Sequence, residues 1–219
     1  MVWRGLGAVV ALAVVGVAGG FGVAIATGDP KPGDVPGPIA ARSPAYPQAI
    51  PITVLTDPAY PALSTGLPLA TTRLGERPFE VRVRVPKQWR RSHENLVNEW
   101  SWAPEGAPLN TYVLRIRTVG DLYVDVEDAM AERMTKLSKA EAVKRFMVEN
   151  QTPDSFSATY LLVNPDDDPY AGYQRLTMER FLTLPDETGA QVEVSVTGRL
   201  SDRAGLADLL ERVSNSVTR

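Results

Sequence analysis

The chain has 219 residues, of which 44% are hydrophobic and 22% are charged, and its formal net charge is −3. This near-neutral charge argues against nucleic-acid binding, which usually needs a strongly basic surface. The absence of cysteine excludes disulfides, thiolate catalysis and lipid attachment through a cysteine. The single histidine, His93, excludes a multi-histidine metal site, and its polar neighbours are typical of a solvated loop.

The N-terminal segment is the strongest signal in the sequence. Residues 5–27 carry no charge, and about 20 such residues are enough for a helix to cross a bilayer. We therefore predict a transmembrane anchor over residues 1–27, with Arg4 on the cytoplasmic side. A cleaved signal peptide is the alternative, because Ala24-Ile25-Ala26 has the small-x-small form that signal peptidase accepts. The first interpretation gives a single-pass protein of the cell membrane, the second a secreted one, and both place the remaining chain outside the cytoplasm.

A proline-rich stretch follows the anchor. Residues 28–78 hold 11 of the 18 prolines of the chain. Proline fixes φ and lacks an N–H group, so this composition opposes continuous helix or central strand. We predict an extended linker over residues 28–75. The apolar island at residues 50–55 can dock on the following domain as an edge strand.

The remaining residues, 76–219, predict one folded domain. Period-two alternation and turn signals predict strands over residues 79–85, 95–103, 110–118, 156–163, 173–184 and 191–200. A helix is predicted to begin near Val126 after a cap at Asp121 or Asp125, and the capping-box form of residues 138–141 predicts a second one reaching Glu149. Ser201 or Asp202 is predicted to cap a final helix. This succession predicts an α+β fold, an antiparallel β-sheet flanked by helices in an α/β/α sandwich.

Two motifs carry a family resemblance. The domain opens with Phe79-x-Val81-x-Val83-x-Val85-Pro86-x-x-Trp89 and closes with a helix reading Leu206-Ala-Asp-Leu-Leu-Glu-Arg-Val-Ser-Asn-Ser-Val217. Residues 76–219 thereby resemble the PsbP-like α/β/α sandwich, which Ran-binding Mog-type proteins and many secreted bacterial lipoproteins share. The resemblance implies a non-enzymatic binding or assembly module without universal catalytic residues. The lipoprotein members carry a lipidated cysteine, and the apolar helix would replace it here as the anchor.

Aromatic and acidic residues suggest two candidate sites. Trp100 and Trp102 point to the same face of a regular strand, where they would form a binding surface if exposed and part of the core if buried. Asp166-Asp167-Asp168 offers oxygen ligands of the kind that calcium prefers. The flanking prolines, Pro165 and Pro169, favour the alternative of a solvated turn.

A basic patch is the third candidate. A basic run with no acid between its members comprises Arg82, Arg84, Lys87, Arg90 and Arg91, and Arg115 and Arg117 of a second predicted strand could enlarge it. If the strands share a sheet face, the patch could meet anionic lipid headgroups or wall polymers. Under the alternative, these arginines belong to the polar face of the strands and pair with Glu179 and Glu193.

The sequence favours a membrane-tethered extracytoplasmic binding or accessory module that is not an enzyme. Its expected partners are the membrane, through residues 5–27, and an envelope protein or an anionic wall or lipid surface, with no nucleic acid. No catalytic residue, cofactor or metal is predicted. The alternative is an enzyme acting on a wall or lipid substrate through carboxylates that the sequence does not identify.

Overall fold

A computed structural model describes residues 51–77, 80–92, 98–108, 111–119 and 124–219. The predicted anchor, residues 28–50 of the predicted linker, Phe79, His93 and Asp121 lie outside these described residues. Neither helix within them is long and apolar enough to cross a membrane.

Ten strands and two helices make up the described chain. In order they are β1 (Thr53–Leu55), β2 (Leu69–Leu74), β3 (Val81–Pro86), β4 (Trp89–Arg91), β5 (Glu99–Pro104), β6 (Val113–Thr118), α1 (Val126–Lys139), β7 (Val143–Gln151), β8 (Ser155–Asn164), β9 (Asp168–Leu182), β10 (Val192–Arg199) and α2 (Arg203–Ser214). A short 3₁₀ turn over Leu200–Asp202 leads into α2.

One large antiparallel sheet organises these elements. Its strand order is β4-β5-β6-β10-β9-β8-β7, and β1 pairs in parallel with β9. A separate two-stranded sheet pairs β2 with β3. The fold is therefore α+β, as the sequence predicts.

Alternating side chains give the large sheet two different faces. Val192, Val194 and Val196 are fully buried on one face, where they pack with Leu206 and Leu209 of α2. The valines of β3 belong to the same apolar cluster, so α2 and the small sheet cover this face together.

The opposite face of the sheet packs against α1. Phe181 lies directly opposite Glu193, one residue out of phase with the valines of β10, and therefore points away from α2. It clusters with Phe156, Ala129 and Met130, the last two from α1. The two helices thus lie on opposite faces of the sheet.

The predicted helix over residues 138–149 is wrong, because strand β7 occupies most of this stretch. Helix α1 continues through Ser138, whose hydroxyl donates to the Thr135 carbonyl at 2.9 Å instead of capping a new helix. Val143, Phe146 and Val148 favour extended structure, and β8 offers an edge to pair with. Pairing with β8 therefore makes residues 143–151 a strand rather than a helix.

The C-terminal half of the predicted linker belongs to the folded domain. Strand β1 docks on Ala171–Tyr173 of β9, which confirms the strand expected at residues 50–55. Asp57 binds the buried Arg175 at 2.7 Å. Strand β2 also lies within the predicted linker, so the folded domain extends N-terminally beyond residue 76.

Candidate functional site

Arginines and glutamates gather on the sheet face beneath α1. Arg133 of α1 binds Glu179 through Nε at 2.8 Å and Nη2 at 3.1 Å. Arg117 binds Glu193 through Nε at 2.9 Å and Nη2 at 2.6 Å, and Arg115 binds both glutamates. Arg115 and Arg117 are therefore neutralised by the cross-strand partners that the alternative interpretation of the basic patch predicts.

The two glutamates of this cluster are inaccessible. Burial raises the pKa of Glu179, but the charges of Arg133 and Arg115 outweigh burial and hold that pKa below its usual value. The side chains of Glu179 and Glu193 are both 0% exposed. A carboxylate that reacts with a substrate must reach it, so the cluster acts as a structural ion-pair network.

The tryptophan pair faces the core. Trp102 is 5% exposed and lies opposite Leu114, within the apolar cluster beneath α2. Trp100 is half-buried and packs against the same cluster. The exposed pair considered from the sequence is therefore not formed, because both rings pack on the core cluster.

The aspartate tract forms a turn. The Asp168 carboxylate accepts the backbone N–H of Tyr170 at 2.8 Å, and the Asn164 side chain accepts that of Asp166 at 3.3 Å. Within the described residues, no group of three or more His, Cys, Asp or Glu side chains could hold a metal ion.

The part of the chain that the structure describes carries a surface groove of about 530 Å³, which is the candidate site. Such a volume lies within the range of ligand-binding clefts. One wall, the "60s wall", comprises Tyr60–Ser64 and Leu67. The opposite wall comes from the β3–β4 turn and the β4–β5 pair, with Gln88, Trp89, Pro104 and Glu105, and Tyr112 also contributes.

Three aromatic rings, those of Tyr60, Trp89 and Tyr112, line the groove. The rings of Tyr60 and Tyr112 lie 6.1 Å apart at an interplanar angle of 53°. Trp89 is half-buried, packing on the core while it lines the groove. The Tyr60 hydroxyl donates to the Glu105 carbonyl at 3.4 Å and links the two walls. The groove thus combines aromatic surface with an amide, hydroxyls and backbone carbonyls.

Arg199 fixes the 60s wall to the domain. Its guanidinium donates to the carbonyls of Tyr60 at 3.0 Å and Pro61 at 3.1 Å. It also binds Asp202 at 2.7 Å and lies 5.3 Å from the centre of the Tyr112 ring. Asp202 is the N-cap residue of α2, as predicted, but its carboxylate makes no capping hydrogen bond and accepts from the Tyr112 hydroxyl and Arg199.

Two contacts with α2 complete the attachment of the wall. The backbone N–H of Gly66 donates to the Asp208 carboxylate at 2.8 Å. A Cβ atom on Gly205 would lie 2.1 Å from the Leu63 carbonyl oxygen, so only glycine permits this approach. The wall is therefore held at several independent points.

The remaining predicted site residues lie elsewhere. Arg82 and Arg84 point outward from β3, in the small sheet, whereas Arg115 and Arg117 lie on β6 of the large sheet. The structure therefore does not bring the four arginines together. The sequence did not single out Tyr60 or Gln88, because Tyr60 lies in the predicted linker and Gln88 lies between the predicted strands over residues 79–85 and 95–103.

Comparison with solved structures returns proteins of one fold family. Mog1p, the Ran-binding protein of Saccharomyces cerevisiae, matches with a TM-score of 0.45 and 10% identity over 68% of this chain and 95% of that chain. Cyanobacterial PsbP from Synechocystis sp. PCC 6803 matches with a TM-score of 0.41 and 12% identity over 70% and 95%. LpqN, involved in cell envelope biogenesis of Mycobacterium tuberculosis, matches with 0.35 and 13% over 70% and 86%.

All three are of the PsbP/Mog1 fold family, the one that the sequence resembles. No protein-family model and no curated protein matches the chain.

Proposed function

We propose that the chain is a non-catalytic, extracytoplasmic binding module that residues 5–27 tether to the cell membrane. In this proposal it docks an uncharged part of an envelope protein or wall component in the groove beside Trp89. The observation that carries the proposal is the groove itself, which is aromatic-lined and has a wall attached at several points.

The charges around the groove favour an uncharged occupant. Glu105 is paired with Arg90, and Asp202 is paired with Arg199. A charged ligand group would therefore lose its hydration without meeting a free counter-charge. Aromatic rings and a few polar groups suit a ligand with an apolar face and hydrogen-bonding edges.

The fixed wall supports binding as the role of the groove. A site whose walls are already ordered loses less conformational entropy when a ligand binds. The 60s wall is ordered by Arg199, Asp208 and the close approach at Gly205. Burial of Glu179 and Glu193 argues against the alternative of an enzyme that uses this carboxylate pair.

Site-specific photo-crosslinking in native membranes tests the proposal. A photoreactive residue at Gln88 should capture a specific envelope partner, and Trp89→Ala in the same chain should abolish capture. A photoreactive residue at Glu132, an exposed position on α1, is the control and should capture no such partner. Equal capture from positions 88 and 132, or capture that survives Trp89→Ala, would contradict a role for the groove.

A further inference from the structure

Three arginines share the outer face of the small sheet. Arg82 and Arg84 stand on β3, and Arg73 on β2 lies directly opposite Arg82. All three are exposed, the side chain of Arg73 to 63%. We call Arg73, Arg82 and Arg84 the basic ribbon; Arg73 escaped the sequence prediction because it fell in the presumed linker.

The charge of the basic ribbon is mostly uncompensated. Arg73 reaches Glu80 at 3.8 Å, a distant pair. Among the residues that the structure describes, neither Arg82 nor Arg84 forms a salt bridge. Like charges directly opposite each other destabilise a strand pair, so the Arg73–Arg82 arrangement carries a cost in the free protein.

The backbone holds these arginines outward. Val81, Val83 and Val85 alternate with them and are at most 7% exposed, so β3 cannot rotate its charges away from solvent. At the other edge of β3, the Arg82 N–H donates to the Thr218 carbonyl at 2.7 Å. The Arg84 N–H donates to the Ser216 hydroxyl at 2.9 Å. The backbone from which Arg82 and Arg84 project outward is therefore held in place.

We propose that the basic ribbon docks on the anionic phospholipid headgroups of the membrane that tethers the chain. Guanidinium groups bind phosphate oxygens in a bidentate manner, and three exposed arginines on one sheet face can reach the phosphates of a surface together. Near an anionic bilayer each arginine favours docking about fivefold. This inference rests on the proposed anchor at residues 5–27, which keeps the ribbon near the bilayer, but it does not depend on the groove.

The test uses the full chain in vesicles of phosphatidylcholine alone or mixed with phosphatidylglycerol. Because the chain has no cysteine, Thr71→Cys gives a single fluorophore site on the ribbon face, opposite Arg84. Quenchers attached to lipid headgroups should quench this probe in the anionic vesicles and not in the neutral ones. High salt should relieve the quenching. A probe on Thr135→Cys, an exposed position on α1, should remain unquenched.

Charge-removal variants decide the role of the ribbon. In the combined variant Arg73→Gln, Arg82→Gln, Arg84→Gln, the docked-to-undocked ratio should fall about a hundredfold. The matched control, Lys136→Gln, Lys139→Gln, Lys144→Gln, removes the same charge elsewhere and should change the ratio less than twofold. Quenching that persists in the ribbon variant, or is equal in neutral vesicles, overturns the proposal.

Two further measurements distinguish docking of the ribbon on lipid from anchoring alone and from binding to a wall polymer. Flotation with the vesicles measures insertion independently, so a floated chain without quenching overturns the docking of the ribbon and leaves the anchor intact. If soluble poly(glycerol phosphate) changes the fluorescence of the probe while anionic vesicles do not, the partner is a wall polymer and the lipid proposal fails.

Discussion

Arg199 and Tyr112 attach the 60s wall to the rest of the domain through hydrogen bonds. Arg199 donates to two backbone carbonyls of the wall and binds Asp202, and Asp202 also accepts from the Tyr112 hydroxyl. Tyr112 itself is only 2% exposed. A buried hydroxyl that donates to a carboxylate strongly resists ionisation.

The ionisation of Tyr112 gives a pH prediction. Burial, followed by the hydrogen bond to Asp202, raises the pKa of Tyr112 from 10.0 to about 12. Its contribution to stability is therefore complete below pH 10.0 and is lost as the pH rises through about 12. We expect the free energy of unfolding in urea to fall more steeply over this range for the wild type than for Tyr112→Phe. Parallel pH curves for the two proteins would contradict the assignment.

The buried ion pairs of Glu179 predict that replacing this one carboxylate by an amide lowers the free energy of unfolding substantially. Glu179→Gln leaves Arg133 and Arg115 without one of their counter-charges, and breaking a buried pair costs about 3 kcal/mol. The control Glu132→Gln removes an exposed pair with Lys136 and should cost less than about 0.5 kcal/mol. Urea unfolding of both variants measures the difference, and equal losses would show that the cluster is not structural.

Some residue roles could be predicted from the sequence and others could not. Alternation along β6, β9 and β10 was enough to suggest Glu179 and Glu193 as partners of Arg115 and Arg117, as an alternative to a basic patch. Choosing between the alternatives needed the strand order, because only the order reveals that β3 and β6 lie in different sheets. No local pattern could have associated Tyr60 with Arg199, since 139 positions separate them.

At the scale of elements, predictions from local patterns were wrong where a segment pairs with a strand that is distant in the sequence. Residues 138–141 have a capping-box pattern, yet β7 begins at Val143 because the edge of β8 is available to it. Proline content likewise indicated a linker, whereas β1, the 60s wall and β2 each find partners on the domain. Strands with strict alternation, such as β3 and β10, were predicted within a few residues.

Gly205 tests the attachment of the 60s wall to α2. Glycine to alanine within a helix normally stabilises by up to about 1 kcal/mol. Here the added Cβ would meet the Leu63 carbonyl oxygen, so we expect Gly205→Ala to destabilise by about 1–3 kcal/mol. Limited proteolysis should also cut the wall faster than in the wild type. A stabilised variant with an unchanged cleavage rate would show that the wall does not pack on α2 in solution.

At the scale of the whole molecule, the groove and the basic ribbon are separate features. Trp89 and Tyr60 line the groove, whereas Arg82 and Arg84 project from the opposite side of β3 to the valines that enter the core. A tethered module could therefore contact the bilayer through one surface and an envelope partner through another. The location of the domain outside the cytoplasm is the premise that both proposals share.

Single-cysteine labelling in intact cells tests that premise and the occupancy of the groove together. Gln88→Cys reports on the groove, and Glu132→Cys reports on an exposed site of α1, in a chain that otherwise has no cysteine. A membrane-impermeant maleimide should label both sites at similar rates in the purified protein. In intact cells we predict that position 132 is labelled readily and position 88 much more slowly, because an envelope partner covers the groove. Equal labelling of the two positions in cells would contradict an occupied groove, and protection of both until the cells are lysed would contradict an extracytoplasmic domain.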